Sequence, residues 1–544
     1  MSRTWVVLLL VVAALQPGVA AESGGSRPRI VAVAPNPVAD GDAGEFVVVE
    51  FPGETNLTGW TLADGETTVR FPDRTVAGRI AFAADPRRAR NATDHPVYRV
   101  DGSLALANGG ERIELRYDGQ VVDALAYRDA PEGEVGRRTD AGLRWRPVGA
   151  TDFDVVRARG GRVRAFVLPD GAAVPAEVLA GADRRVFLAA YTLTSRRVVS
   201  ELARKARRGV VVRVLVEGGP VGGMTRRQAR LLDRLSAAGA GVTVVDEPRA
   251  RYAFHHAKYA VVDDRAVVLT ENWKPAGTGG RSSRGWGVVV TQRTAVERLA
   301  AVFRADSGWR DGVPWTAFRA GREFEPPGAA SGTYPERFSP ARVRVESVAV
   351  LVAPDNAERG LVSLLDGANE SIEAIQVSLG GRRQPFVRAV LRAARRGVRV
   401  RVLLSDARYV SEDNAELVAW LAERARREDL PLTAKLASPN GRFEKVHAKG
   451  VIVDGERVVL GSLNWNNHSA RANREVAVVL GGEAVAGYYR RVFRADWRGG
   501  LWELPVGFGG VVALAAAVAV LVGRRIGFET HRDGNPAESD PPEQ

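Results

Sequence analysis

Hydrophobic and polar positions along this chain follow two different rhythms. Between residues 27 and 130 short alternating runs, among them Glu45-Phe-Val-Val-Val-Glu-Phe51, Arg112-Ile-Glu-Leu-Arg-Tyr117 and Val121-Val122, are divided by Pro, Gly, Asn and Asp turn residues. That spacing predicts an all-β module, an immunoglobulin-like sandwich. Farther on, wholly apolar runs such as Val210-Val-Val-Arg-Val-Leu-Val216 alternate with amphipathic stretches such as Ser195–Gly209 and Val387–Gly397. This pattern predicts two fused α/β units over residues 162–315 and 340–500, each a mixed sheet flanked by helices. Residues 131–161, rich in Arg, Gly and Asp, read as a linker.

The two ends carry a different pattern. Arg3, an apolar run from Trp5 to Leu15, Pro17-Gly18 and Val19-Ala20-Ala21 read as a signal peptide over residues 1–21. Val506 to Val522 is an uninterrupted run of apolar residues and glycine closed by Arg524-Arg525, and residues 504–523 therefore read as a C-terminal transmembrane helix. Arginines on its far side place the polar tail, 524–544, in the cytoplasm. The expectation is a single-pass protein of the cell membrane with an extracellular body.

Composition then narrows the picture. The 544 residues contain no cysteine, so an exported body is held by its cores rather than by disulfides. The net charge is +13, carried by 71 arginines and only six lysines. Part of that excess is the solvated face of Arg-rich helices; the remainder suits a polyanion, either nucleic acid or an anionic membrane surface.

Against this arginine background two lysines stand out, because each belongs to a copy of one short motif. His256-Ala-Lys258-Tyr-Ala-Val-Val-Asp263 and His447-Ala-Lys449-Gly-Val-Ile-Val-Asp454 lie 191 residues apart. Spacing of two on an extended chain puts an imidazole and an ammonium on one face. Such a pair suits phosphoryl chemistry, since the nitrogen attacks phosphorus or moves a proton while the cation holds non-bridging oxygens. The surroundings recur as well. Ala206-Arg-Arg-Gly-Val210 matches Ala394-Arg-Arg-Gly-Val398, Val302-Phe-Arg-Ala-Asp306 matches Val492-Phe-Arg-Ala-Asp496, and both copies contain Asn-Trp, at Asn272-Trp273 and Asn464-Trp465. The chain is a tandem repeat.

On these residues, roughly from 160 to 500, the chain resembles the phospholipase D superfamily. The resemblance implies that two α/β repeats pool their motifs into one site about a pseudo-two-fold axis. It also implies a phosphohistidine intermediate and no metal or cofactor. The site set it implies is His256, His447, Lys258, Lys449 and Glu475, with Asp263 and Asp454 completing the motif but expected to hold a strand end. Asn272, Asn464, Ser462 and Thr270 are expected at the phosphate. A nucleophile and a proton donor must differ in protonation, so the two imidazoles are expected to have separated pKa values.

The second copy is complete, with Gly461, Ser462, Asn464 and Glu475. The first reads Thr270-Glu271-Asn272, one residue shorter, and has Arg284-Gly285-Trp286 opposite Glu475. Either Glu271 serves His256 or that histidine lacks an orienting acid, and the better-supported imidazole is then His447; which histidine attacks stays open. His255 is expected on the opposite face, and Trp273 and Trp465 either stack on substrate or pack the site wall.

The N-terminal module resembles lamin-tail-like domains, through Gly59-Trp-Thr-Leu62, Ala107-Asn-Gly-Gly110 and Val122-Asp-Ala-Leu-Ala-Tyr127. It carries no catalytic cluster, and its ligand is unknown. Three functional readings follow: a membrane-tethered phosphodiesterase of phospholipid headgroups, an exported nuclease, and a surface-binding protein with a decayed site.

Overall fold

The computed structural model describes residues 27–37, 42–90, 92–148, 150–246 and 250–499. The expected signal peptide, transmembrane helix and cytoplasmic tail lie outside the described residues. No described helix is long and apolar enough to cross a membrane.

The N-terminal module is two facing sheets. One contains six strands in the order 142–147, 134–139, 29–34, 46–56, 75–83, 97–99, and the other four in the order 68–70, 60–63, 112–117, 120–126. Inward residues of both, including Val47, Phe51 and Phe82 from the first and Trp60, Leu62 and Leu115 from the second, form one core. Trp60 and Tyr127 are core residues, and Tyr127 also donates its hydroxyl to the Ala107 carbonyl at 2.9 Å. The segment expected to be a linker is largely strand. Glu134–Thr139 and Gly142–Pro147 complete the six-stranded sheet. Exposed Arg137, Arg138 and Arg144 and the buried Arg146 mask their alternation, while Trp145 turns inward over Gly136, where an added Cβ would lie 3.1 Å from the indole.

Each repeat is a mixed sheet with helices on both faces. In the first, parallel strands 185–190, 211–217 and 241–245 are followed by antiparallel strands 259–262, 265–269 and 283–290. The second repeats this with 371–376, 399–404, 432–436, 450–453, 457–461 and 475–481. Helix 196–207 ends at Gly209 (φ 84°) and helix 385–395 at Gly397 (φ 92°), a left-handed conformation that explains why Arg-Arg-Gly-Val recurs. Outer helices such as 196–207 and 226–237 pack one face of each sheet. Helices 293–307 and 483–498 lie on the inner face, in a single core that takes residues from both repeats.

The repeats are also stitched by exchanged strands. Val156–Arg159 pairs with Ser347–Ala353 of the second sheet, and Ala341–Arg344 pairs with Arg162–Leu168 of the first. Deeper in, two arginines cross the boundary. Arg474 of the second repeat meets Asp306 of the first at 3.0 Å, and Arg284 of the first meets Asp496 of the second at 2.9 Å. All four are fully buried.

Asp263 and Asp454 end their strands in the left-handed region, both at φ 54°. The Asp263 carboxylate accepts the backbone N–H groups of Asp183, Arg184 and Arg185 at 2.8–2.9 Å, and Asp454 accepts those of Asn369, Glu370 and Ser371. Four buried strand residues separate each from its lysine. These aspartates hold the entry of the neighbouring parallel strand and have no place among catalytic groups.

Candidate active site

The sequence folds so that each motif histidine sits beside the other repeat. His256 and Lys258 lie in an extended segment that leads into strand 259–262 rather than within it. That segment runs parallel to the start of strand 475–481: the His256 N–H donates to the Arg474 carbonyl at 2.9 Å, and the Arg474 N–H to the Phe254 carbonyl. The mirror arrangement holds at His447, whose N–H donates to the Arg284 carbonyl at 2.9 Å. The residue after each of these arginines therefore faces the histidine of the opposite repeat.

At His256 that residue is Glu475, both of whose carboxylate oxygens lie 2.9 Å from Nδ1. Asn473 Nδ2 donates to the same carboxylate at 3.2 Å, as does the Ser469 hydroxyl. At His447 the corresponding residue is Gly285, and the carboxylate comes from Glu271, with Oε2 3.3 Å from Nδ1. A Cβ at Gly285 would fall 2.3 Å from Glu271 Cγ, so Glu271 occupies the space that a side chain there would need. Both sequence alternatives for Glu271 are thus overturned: it serves His447, and His256 has the better-held partner.

Strand register explains why. Val262 pairs with Arg265 across a two-residue turn, whereas Val453 pairs with Arg457 across three. The residue missing from the first copy is missing from this turn. Leu269-Thr270-Glu271-Asn272-Trp273 consequently matches Gly461-Ser462-Leu463-Asn464-Trp465 position for position. Thr270 Oγ1 accepts the Trp286 N–H at 2.9 Å, as Ser462 Oγ accepts the Val476 N–H at 3.0 Å. Both hydroxyls are fully buried. They brace the neighbouring strand instead of meeting a phosphate, which corrects their expected role.

Asn272 is buried with its Oδ1 unpartnered, and Asn464 is half-buried. Trp273 and Trp465 are buried in the outer cores, Trp273 donating Nε1–H to the Ala189 carbonyl at 3.0 Å. They pack the wall and offer no stacking face. His255 points away, its Nε2 3.1 Å from Asp306.

The two lysines complete the site. Lys449 Nζ lies 3.3 Å from His447 Nδ1 and donates to the His447 carbonyl at 2.9 Å, while Lys258 Nζ donates to the His256 carbonyl. Burial, together with the lysines and against the pull of the glutamates, lowers both imidazoles to about 4. The expected separation is absent from the resting site, because each imidazole is buried beside one glutamate and one motif lysine. Burial lowers Lys449 to about 8 and Lys258 well below the ammonium range. Burial would raise Glu475, yet His256 and Lys258 hold it at about 2.

Protonation is thereby linked to stability. A histidine at about 4 in the fold and 6.5 unfolded takes up more protons when unfolded, so stability falls as pH drops from about 6.5 through 4. Glu475 adds a loss of the same sign from 4.5 down to about 2. Thermal unfolding followed from pH 7 to 4 is expected to show this decline, and a His256→Asn/His447→Asn variant to flatten it.

Some residues at the centre escape single-sequence reasoning. Asp170 accepts from Arg284 at 2.6 Å, and Asp355 lies 3.6 Å from Arg474. The recurrence of Pro169-Asp170 as Pro354-Asp355 was an available signal.

Two imidazoles, each turned by a carboxylate from the opposite repeat and flanked by an ammonium, are equipped for phosphoryl transfer. Comparison with known proteins agrees. The family model described as "Cardiolipin synthase, PLD-like domain" matches twice, over residues 176–307 and 361–497. The mitochondrial cardiolipin hydrolase of Xenopus tropicalis is 28% identical over 144 residues, which are 26% of this chain and 62% of that protein. The chain thus spans less than two thirds of that relative's length. Among solved structures, phosphatidylserine synthase of Haemophilus influenzae Rd KW20 aligns with TM-score 0.47 and 13% identity, over 66% of this chain and 94% of that one. The phospholipase D family member Nuc of Salmonella typhimurium aligns with TM-score 0.25 and 16% identity, over 29% and 98%. The chain belongs to the phospholipase D superfamily, a superfamily of phosphodiester hydrolases and transferases.

Proposed function

We propose that this protein is a phosphodiesterase of phospholipid headgroups working through a phosphohistidine. The observation that carries the reading is the pair of cross-repeat His–Glu contacts, His256–Glu475 and His447–Glu271, with Lys258 and Lys449 beside them. Glu475, fixed by Ser469 and Asn473, holds Nδ1–H of His256 and leaves Nε2 as a free lone pair, so His256 is the nucleophile. Entry of a phosphodiester anion raises both imidazole pKa values. His447, whose carboxylate contact is looser, is the one that carries a proton. His256 Nε2 attacks phosphorus, the bond to the leaving oxygen breaks, and that oxygen takes the proton of His447. His447 then accepts a proton from water or an alcohol, whose oxygen displaces His256 from phosphorus. Lys258, Lys449, Asn272 and Asn464 hold the non-bridging oxygens.

The lipid reading draws further on the cardiolipin-type family model and on residues 504–523 as a membrane span that keeps the body, exported by residues 1–21, near a bilayer. The N-terminal module, read as lamin-tail-like, is a binding or spacing arm. The net charge of +13 favours nucleic acid as a second substrate class. Two intact His–Glu pairs weigh against a decayed site.

The test is the full chain in EDTA, given phospholipid vesicles and single-stranded DNA side by side, with His447→Ala as control. Headgroup release that disappears in the variant supports the proposal. DNA cleavage with the same dependence makes the protein a nuclease, and activity that vanishes in EDTA and returns with a divalent ion overturns the mechanism.

A further inference from the structure

The two halves of the centre are built alike except where the N-terminal module meets one of them. Asp170 and Asp355 stand at matching places, each after a proline, and each receives a backbone N–H from a connecting segment, that of Phe338 at 2.9 Å and that of Phe153 at 2.9 Å. Asp170 is then met directly by Arg284 at 2.6 Å and by the Arg337 N–H at 2.7 Å. Asp355 stands 3.6 Å from Arg474, the counterpart of Arg284, and its Oδ1 instead receives Arg146 Nη2 at 3.2 Å. Arg146 belongs to strand 142–147 of the module, and both it and Asp355 are buried.

Thr151 closes the seam. Its carbonyl accepts from Arg146 Nη1 at 3.0 Å, and its Oγ1 donates to Asp355 Oδ2 at 2.7 Å while accepting from Arg474 Nη2 at 2.6 Å. Arg474 Nη2 also donates to the Tyr252 hydroxyl, whereas the ring beneath Arg284 is Phe443, which has none. Both residues at this junction lead to the catalytic pair. Arg474 accepts the His256 N–H on its carbonyl and is followed by Glu475. Tyr252 is followed by Ala253, whose N–H donates to the Ala472 carbonyl at 2.9 Å on the way to His256. Without Arg146, Asp355 keeps two neutral donors and a guanidinium just beyond contact. Attraction between buried charges is strong, so Arg474 is drawn across to Asp355, away from Thr151 and Tyr252, and Glu475 moves with it.

We infer that Arg146 is a positioning residue of the His256 half-site: by occupying Asp355 it keeps Arg474, and with it Glu475, in place against His256. The N-terminal module is thereby a part of the active centre on that side. The His447 half has no such debt, since Asp170 is held by Arg284 and by the segment that joins the repeats. The effect of the brace on turnover rests on the proposed function; the geometry it imposes on the imidazole does not.

Nitrogen-detected NMR of the full chain labelled with [15N]histidine tests this without turnover, the signals of His256 and His447 being assigned from their asparagine variants. At pH 7 wild-type His256 is expected in a single Nδ1–H tautomer, held by Glu475. In Arg146→Met it is expected to become a mixture of tautomers while the His447 signals stay as they were. Arg146→Lys keeps a cation at Asp355 without the fork to Thr151, and a smaller change of the same kind is expected; this variant carries the test should Arg146→Met fail to fold. Arg138→Met, which breaks the 2.6 Å pair with Asp123 inside the module, loosens the module and is expected to leave both histidines unchanged. An unaltered His256 in folded Arg146 variants, equal changes at His256 and His447, or the same change in Arg138→Met overturns the inference. In rapid-quench measurement with an aryl phosphodiester, Arg146→Met is expected to slow the burst about tenfold at unchanged substrate affinity, and a loss of affinity alone also overturns it. The tautomers are read whether or not any diester is cleaved, so failure of the proposed reaction is seen separately.

Discussion

Replacement of His256 or His447 by alanine is expected to lower kcat by about a thousandfold or more, the scale on which nucleophiles and general acids act. The two losses differ in kind. In the proposed mechanism the His256–Glu475 pair stays intact without His447, and a substrate whose leaving group needs no proton is expected still to phosphorylate the enzyme. The phosphohistidine is then expected to persist, because no base activates water. Rapid-quench measurement with an aryl phosphodiester is expected to show a burst of one leaving group per enzyme in His447→Ala and none in His256→Ala. The double variant is expected to be little slower than either single one, since the residues act as a unit. A burst in His256→Ala in place of His447→Ala would reverse the roles.

A large stability effect is expected at Asp306. Its carboxylate receives Arg474 Nε at 3.0 Å and His255 Nε2 at 3.1 Å with no access to solvent. Asp306→Ala leaves the buried guanidinium with only the more distant Asp355 carboxylate, at 3.6 Å, and breaking a buried pair from one side costs about 3–5 kcal/mol. The Asp306→Leu/Arg474→Met variant removes both charges and is expected to recover much of that loss in denaturant unfolding. Activity is not expected to recover with it. Arg474 Nη1 also donates to the Ala353 carbonyl, Nη2 donates to Thr151 Oγ1, and its backbone carries Glu475 to His256. A variant that unfolds at the wild-type midpoint yet turns over slowly would separate these two duties.

Much of this arrangement was legible in the sequence where a property is local or repeated. Fully apolar runs marked the central strands, Arg-Arg-Gly marked the helix ends, and duplicated histidines and lysines marked the site. What escaped depends on register and on contacts between repeats. The one-residue gap near Leu269 looks like an eroded motif; it is a shorter turn at Asp263-Asp264, which moves the Asn-Trp match by one. Pairing of Glu271 with His447 and of Glu475 with His256 crosses the axis, so neither carboxylate is close in sequence to the imidazole it orients. Strands 134–139 and 142–147 hid behind arginines, exposed at 137, 138 and 144 and buried at 146. The equal lowering of both imidazoles follows from burial alike on both sides, a quantity that spacing does not report.

The placement of Glu271 also bears on how the two halves can vary. In an assembly of two identical copies, any change at a Gly285-type position strikes both half-sites at once and leaves both imidazoles without a partner. Moving the acid from that position to Glu271 on one side alone, while Glu475 stays on the other, requires the halves to be separately heritable. Carried on one chain, the two half-sites can differ one residue at a time, and the unlike placement of Glu271 and Glu475 uses that freedom.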